Sequence, residues 1–170
     1  MENIVIGGGC FWCLEAVYQL VDGVTEVESG YTNGEIENPT YRQVCEGDSG
    51  HVEVVKITFD PAKISLEKIF EIFWVIHDPT TLNRQGNDSG TQYRSGIYFQ
   101  NELEKKIGMA SKELYQSSFT NPIITEIVPL KHFYKAENYH QNYYRDNPNA
   151  SYCAYVVKSK VDKYLKKFTQ

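Results

Sequence analysis

Apolar and polar positions follow two rhythms along this chain, and each change of rhythm marks an element. Ile4-Val5-Ile6 give a short buried-strand signal that Gly7-Gly8-Gly9 ends. From Cys10 to about Val21, Leu14, Val17, Tyr18 and Val21 recur at helical spacing, which places Cys10 at or near the first turn of a helix. Val24 to Tyr31 reads as a second strand, followed by a turn-rich loop holding Asn33-Gly34 and Asn38-Pro39. Val52 to Phe59 is the clearest strand. Its period of two puts Glu53, Val55, Ile57 and Phe59 on one face, and Val52, Val54, Lys56 and Thr58 on the other. After the turn at Asp60-Pro61, Ser65 is placed to cap a helix with the stripe Leu66, Ile69, Phe70, Phe73 and Trp74.

Residues 78–94 then form a long polar stretch without either rhythm, and loops of that length are often functional. Ile97-Tyr98-Phe99 is a further strand. Asn101 caps a helix marked by Leu103, Ile107, Ala110 and Leu114, with Glu104 in capping-box position. Ile123 to Val128 gives another strand, and a polar, aromatic segment from Phe133 to Tyr155 leads to a last helix with Val161, Tyr164, Leu165 and Phe168 inward. With 170 residues the chain is the size of one ordinary domain. We read one α/β (α+β) domain, a two-layer sandwich with a central mixed sheet flanked by helices. Its catalytic core covers about residues 1–135, and a loop-rich C-terminal segment covers about 136–170.

Charge and cysteine count narrow the partners. A formal net charge of −5 argues against nucleic acid or an anionic membrane. The one basic cluster, Lys158, Lys160, Lys163, Lys166 and Lys167, reads as the solvated face of the terminal helix. No apolar run is long enough to span a bilayer, and Met1-Glu2-Asn3 lacks the basic start of a signal peptide, so we expect a cytoplasmic protein. Cys10, Cys13, Cys45 and Cys153 are too few and too scattered for a disulfide-stapled scaffold; catalysis, metal binding or core packing are the readings left. Cys45 reads as a buried structural thiol. The 13 tyrosines serve either a packed core or a polar pocket.

Three segments carry candidate chemistry. In Gly9-Cys10-Phe11-Trp12-Cys13, a thiol in the first turn of a helix feels the positive end of the dipole and free N–H groups, which favour thiolate. The Cys10-x-x-Cys13 spacing leaves thioredoxin-like redox chemistry and zinc open, although a zinc site normally needs a second such pair. No phosphate-loop pattern accompanies the glycines. The second segment is Gly47-Asp48-Ser49-Gly50-His51-Val52-Glu53. A Glu53 carboxyl facing an apolar layer is desolvated, so its pKa rises and it can stay protonated as a general acid. His51 reads as structural, bonded within its turn. The third is the polar loop Arg84 to Arg94, with Tyr41 as an isolated tyrosine in a second turn; tyrosine hydroxyls can donate to charge developing on oxygen.

Taken together, Gly-Cys10-Phe-Trp, Gly30-Tyr31-Thr32, Asn38-Pro39-Thr40-Tyr41, Gly47-Asp48-x-Gly50-His51-x-Glu53, His77-Asp78-Pro79 and Gln85-Gly86-Asn87-Asp88-x-Gly90-Thr91-Gln92-Tyr93-Arg94-Ser95 resemble the A-type methionine sulfoxide reductases over nearly the whole chain. The resemblance implies reduction of the S-epimer of methionine sulfoxide. It also implies that Cys10 attacks sulfur, Glu53 protonates the sulfoxide oxygen, Tyr41 and Tyr93 hydrogen-bond that oxygen, and Asp88 supports the polar site. Phe11 and Trp12 would wall an apolar pocket for the methyl group. Cys10 would be left as a sulfenic acid, which a second cysteine condenses to a disulfide.

This sequence departs from the family pattern at the recycling cysteines. Many relatives carry two in the C-terminal tail, whereas here there is Cys153 alone, and Cys13 stands where many have glycine. The resemblance implies that Cys153 resolves first, with Cys13 relaying the disulfide or standing idle; a route through Cys13 without Cys153 is the alternative. Thioredoxin is the reductant the family implies. We expect no bound cofactor or metal, and a monomer. The rival readings are a general disulfide oxidoreductase and a zinc-binding module, neither of which needs Glu53 or the polar loop.

Overall fold

The computed structural model describes residues 1–169. Six strands form one mixed sheet. They are β1 (Glu2–Gly7), β2 (Val24–Thr32), β3 (Val52–Phe59), β6 (Gly96–Phe99), β7 (Glu126–Pro129) and β8 (Tyr134–Lys135), while β4 (Arg84–Gln85) and β5 (Asp88–Ser89) form a separate small hairpin. The sheet order is β7-β6-β1-β3-β2-β8, with β6 and β7 parallel and the other pairs antiparallel. Helices α1 (Phe11–Tyr18), α3 (Leu66–Ile76) and α4 (Glu102–Tyr115) pack on one face with the terminal α6 (Lys158–Phe168), while α2 (Tyr41–Cys45) and α5 (Tyr143–Asp146) are short.

The alternation in β3 sorts the two layers as expected. Val55, Ile57 and Phe59 enter the main core with Ile4, Ile6, Leu14, Phe70 and Phe73. Val52 and Val54 join a smaller cluster with Val5 and Tyr98 on the other face, covered by Val128, Leu130 and Phe133. The main core also takes in Cys153, Val157, Val161 and Tyr164 from the C-terminal segment.

Three expectations are corrected. Of the predicted stripe of α4 only Ile107 packs against the core; Leu103, Ala110 and Leu114 point outward, with Leu103 66% and Leu114 71% exposed, because the inner face uses small residues as well. Gly108 lies over Ile97 and Ile127, and Ser111 accepts a hydrogen bond from Trp74 Nε1 at 2.8 Å. Leu165 is also exposed, at 39%; Val161 and Tyr164 of α6 are buried in the core and Phe168 packs against it, as the stripe predicts. The polar segment ending at Tyr155 is shorter than its composition suggests. Helical winding begins at residue 151 and passes through a π-turn, Cys153–Val157, straight into α6, so Cys153 rides on a helix.

Candidate active site

The site is built where β1 runs into α1. Gly9 has φ +94°, and a Cβ there would meet Gln85 Cγ at 2.8 Å, so only glycine lets the chain turn this close to the polar loop. At Gly8 the obstacle is the His77 ring, which a Cβ would approach to 2.9 Å. Gln85 accepts a hydrogen bond from the Asp78 N–H at 2.9 Å and donates back to the Asp78 carbonyl, which pins the loop against the glycine turn. Cys10 follows as the N-cap of α1, with an extended backbone.

Its acidity differs from the expectation of a thiolate. Burial pushes the Cys10 thiol well above its ordinary value, and charges on Glu53, Cys13 and Asp88 push the same way. Only the Trp12 backbone amide pulls the other way, so desolvation outweighs the helix terminus. Cys10 rests as a thiol.

Glu53 lies opposite Tyr31 in the β2–β3 register and is 1% exposed. Its Oε1 accepts the Phe11 N–H at 3.1 Å, tying the carboxyl to the first turn of α1. Burial pushes it up to about 8; the Phe11 amide opposes this and the Asp88 charge adds to it. The carboxyl is therefore largely protonated at neutral pH, as the apolar face of β3 predicts. Tyr41 and Tyr93 are half-buried hydroxyls whose pKa values burial raises, with Cys45 and Glu53 contributing at Tyr41, and Glu53 and Cys10 at Tyr93. Both stay neutral donors.

Sequence reasoning missed the groups that the C-terminal segment brings. His140 is 1% exposed and its Nδ1 accepts the Trp12 Nε1–H at 3.1 Å, which puts the ring proton on Nε2. Its ring lies against Phe11, Tyr41 and Tyr139, with centroids 5.0, 4.4 and 4.1 Å away. Glu137 accepts the Tyr31 hydroxyl at 2.9 Å and the Tyr41 N–H at 3.0 Å. The Tyr143 and Trp12 ring centroids are 3.8 Å apart, and Tyr152 donates its hydroxyl to Asp88 Oδ2. The signal was present: residues 136–152 are dense in polar and aromatic side chains without a regular period, as residues 84–94 are.

Of the sequence-predicted residues, Cys10, Cys13 and Asp88 share the lining of one cavity of about 500 Å³ with Tyr152 and Lys160. Glu53, Tyr41, Tyr93, Phe11 and Trp12 are not among its lining residues; Phe11 is fully buried and Trp12 half-buried. Cys153 is 0% exposed and lies outside that cavity's lining. Cys45 is not a buried structural thiol; it is exposed because the single short turn of α2 leaves it on the outer side, beside the Tyr41 hydroxyl. His51 is structural. Its Nδ1 accepts the Gly34 N–H at 3.2 Å and its Nε2 donates to the Ile36 carbonyl at 2.7 Å.

The chain is similar to known proteins over nearly its whole length. A family model described as peptide methionine sulfoxide reductase matches residues 2–170. The chain belongs to the peptide methionine sulfoxide reductase family. The peptide methionine sulfoxide reductase MsrA of Leptospira borgpetersenii is 57% identical over 98% of this chain and 94% of its own length. Among solved structures, reduced Mxr1 from Saccharomyces cerevisiae is 39% identical with a TM-score of 0.85, covering 89% of this chain and 88% of that one. Mxr1 in complex with Trx2 matches with a TM-score of 0.61 and 30% identity, over 84% of each chain.

The start of α1 thus brings the buried Cys10 thiol and the protonated Glu53 carboxyl together, and the half-buried Tyr41 and Tyr93 hydroxyls feel the Glu53 charge. A sulfoxide needs this combination, because its sulfur becomes electrophilic only as its oxygen is protonated.

Proposed function

We propose that this enzyme reduces the S-epimer of methionine sulfoxide, free or within proteins, in the cytoplasm and as a monomer. The observation that carries the reading is Glu53, a protonated acid held by the Phe11 amide directly under the nucleophile's helix. Cys10 Sγ attacks the sulfoxide sulfur while Glu53 passes its proton to the oxygen, with Tyr41 and Tyr93 donating to the same atom. The carboxylate so formed takes up the proton that Cys10 gives up. Raised pKa values on both groups suit this exchange, since one proton moves around the pair and no isolated charge persists in the pocket. Phe11 and Trp12 wall the methyl group, and Asp88 supports the site through Tyr152.

Methionine leaves and the oxygen stays on Cys10 as a sulfenic acid. It departs as water only when a second thiol, from Cys13 or Cys153, condenses with that sulfur. We assign reduction of the resulting disulfide to thioredoxin, a reading supported by the yeast relative solved with Trx2.

The test is reduction of the two methyl p-tolyl sulfoxide enantiomers with dithiothreitol, using wild type and Cys10→Ser. Turnover of the S form alone, lost in the variant, is the expected result. No turnover of either form by folded wild type would overturn the proposal.

A further inference from the structure

Arg94 holds more of the site together than an ion pair requires. It follows directly on the single 3₁₀ turn Thr91–Tyr93, and its side chain is 19% exposed. The guanidinium reaches three separate segments. Nη1 donates to the Thr91 carbonyl at 2.9 Å, Nη2 to the Gly50 carbonyl at 2.9 Å, and Nε to Glu126 Oε2 at 3.1 Å. Glu126 is itself fixed on the sheet: it pairs with Gly96 in the parallel β6–β7 register, and the Tyr98 hydroxyl donates to the same Oε2 at 2.7 Å. A lysine could meet Glu126. Only a planar fork meets two carbonyls from different turns at the same time.

We infer that Arg94 is a positioning residue for sulfoxide reduction, which sets the Tyr93 hydroxyl against the Glu53 carboxyl by tying their two supporting turns together. The inference rests on the reductase reading above, because Tyr93 and Glu53 matter as a pair only when both serve the sulfoxide oxygen. Gly50, with φ +79°, forms the turn from which β3 starts and leads to Glu53. The Thr91 carbonyl belongs to the turn that carries Tyr93. Thr91 Oγ1 adds a second tie between the same two turns, donating to the Gly47 carbonyl at 3.0 Å. A third tie reaches the nucleophile, since the Gly9 N–H next to Cys10 donates to the Tyr93 carbonyl at 3.2 Å. The turns that lead to the nucleophile, the acid and the phenol therefore meet around Thr91–Arg94.

Tyr93 needs this support more than Tyr41 does. Its turn closes only two bonds of its own, from the Tyr93 N–H to the Gly90 carbonyl at 3.0 Å and from the Arg94 N–H to the Thr91 carbonyl at 3.3 Å. Such a short 3₁₀ piece is weakly held by itself. No described residue hydrogen-bonds the Tyr93 hydroxyl, so the phenol takes its place from the backbone beneath it and from the packing of its ring on the core. Tyr41, by contrast, opens α2 under the capping box of Thr40 and Gln43, and Glu137 accepts its N–H. None of those contacts involves Arg94. Loss of the fork should loosen Tyr93 and leave Tyr41 in place. Chemistry that depends on close alignment should then slow with little loss of binding.

The experiment is a single turnover without reductant. Reduced protein is mixed with the S enantiomer of methyl p-tolyl sulfoxide, and the rate of sulfide formation is followed against sulfoxide concentration. Arg94→Lys is expected to lower the saturating rate about 10²-fold, what a misplacement of about 1 Å can cost, with the half-saturating concentration within about twofold of wild type. In a Tyr93→Phe background the same substitution should cost less than about threefold, because the hydroxyl it positions is gone. In a Tyr41→Phe background the full loss should return. Arg94→Ala should regain part of its rate with added ethylguanidinium and none with ethylammonium. Should Arg94→Ala fail to fold, Thr91→Val removes only the Gly47 tie and is expected to show the same dependence on Tyr93 at a smaller size. A wild-type saturating rate in Arg94→Lys or in Tyr93→Phe would overturn the inference. So would equal losses in the Tyr93→Phe and Tyr41→Phe backgrounds, which a merely structural role produces. Sulfide from wild type in those cases leaves the reductase reading standing, whereas no sulfide from folded wild type removes that reading and this inference together.

Discussion

Glu53 and Glu15 are two acidic side chains that solvent barely reaches, each 1% exposed, and both meet α1. Glu53 is the more deeply enclosed of the two, and the number of amides aimed at them differs as well. Glu53 accepts one, from Phe11. Glu15 accepts two, from Asn142 at 2.9 Å and Tyr143 at 3.1 Å. Burial raises the pKa of both; at Glu15 the two amides and Arg145 pull it back, whereas at Glu53 a single amide is opposed by the Asp88 charge as well, and the group stands at about 8. Burial alone does not make a general acid. A buried carboxyl left short of donors keeps its proton and can deliver it, while one supplied with donors becomes a fastening, here of the C-terminal segment to α1.

The largest effect should come from the group short of donors. Glu53→Gln keeps the shape and an acceptor for Phe11 but has no proton to give. We expect kcat/KM for sulfoxide to fall by about 10²–10⁴-fold, the usual worth of a general acid. Wild-type activity should decline as the pH rises through about 8, where Glu53 loses its proton, and the variant's residual activity should lack that limb. A Gln variant with wild-type turnover would break the comparison at its root.

The same substitution should act on stability with the opposite sign. Glu53 binds its proton more tightly folded than unfolded, so the wild type loses stability as the pH rises from the unfolded value near 4.5 to about 8, and the loss is complete above that. Glu53→Gln removes the titration. It should therefore match wild type at low pH and be more stable by about 2–5 kcal/mol at alkaline pH, measured by denaturant unfolding across that window. A variant less stable than wild type at high pH would mean that the carboxyl is better solvated than its burial indicates.

Much of this contrast could be read in the sequence on one side only. The period of β3 pointed Glu53 at the core, and desolvation then followed from the face it shares with Val55 and Ile57. The glycine run before Cys10 and the aperiodic stretch around Asp88 and Tyr93 were equally legible, because turns and polar loops carry local composition signals. Glu15 was not, since it sits in a helical pattern where an acidic residue ordinarily faces water, and its partners lie over 120 positions away. Glu137, His140 and Tyr152 were hidden for the same reason: their contacts with Tyr41, Trp12 and Asp88 are long-range and leave no local period. The thiol state of Cys10 was not legible because the helix terminus is visible in sequence, whereas the depth of burial is not. Leu103, Ala110 and Leu114 of the α4 stripe turned outward for a packing reason, as Gly108 and Ser111 beside Ile107 make the close contacts that larger apolar residues usually make.

A smaller effect is expected at Glu15. Glu15→Gln retains one acceptor oxygen but presents an NH₂ group to one of the two amides, leaving a buried donor unpaired. The cost should be about 1–3 kcal/mol in global stability. It should be accompanied by faster hydrogen exchange at Asn142 and Tyr143, and the pH limb near 8 should stay where it is. A shift of that limb would mean that the two carboxyls communicate, and the division between acid and fastening would have to be redrawn.

Glu137 sharpens the rule from the other side. It is half-buried, and although burial raises its pKa, hydrogen bonds from the Tyr41 amide and the Tyr31 hydroxyl outweigh that and hold it below the usual range. Its contribution to stability is therefore present above the unfolded value near 4.5 and is lost as the pH falls through the depressed folded one. Glu137→Gln should cost about 0.5–1.5 kcal/mol at neutral pH, with the difference closing in acid, the reverse of the trend at Glu53. Because Glu137 also fixes the first residue of α2, the substitution should lower kcat modestly by loosening Tyr41, and Tyr41→Phe should remove most of that sensitivity in a double variant. Additive losses in the double variant would place Glu137 outside the oxygen-binding set. It would then belong with Glu15, as a carboxylate whose donors serve only to hold the chain.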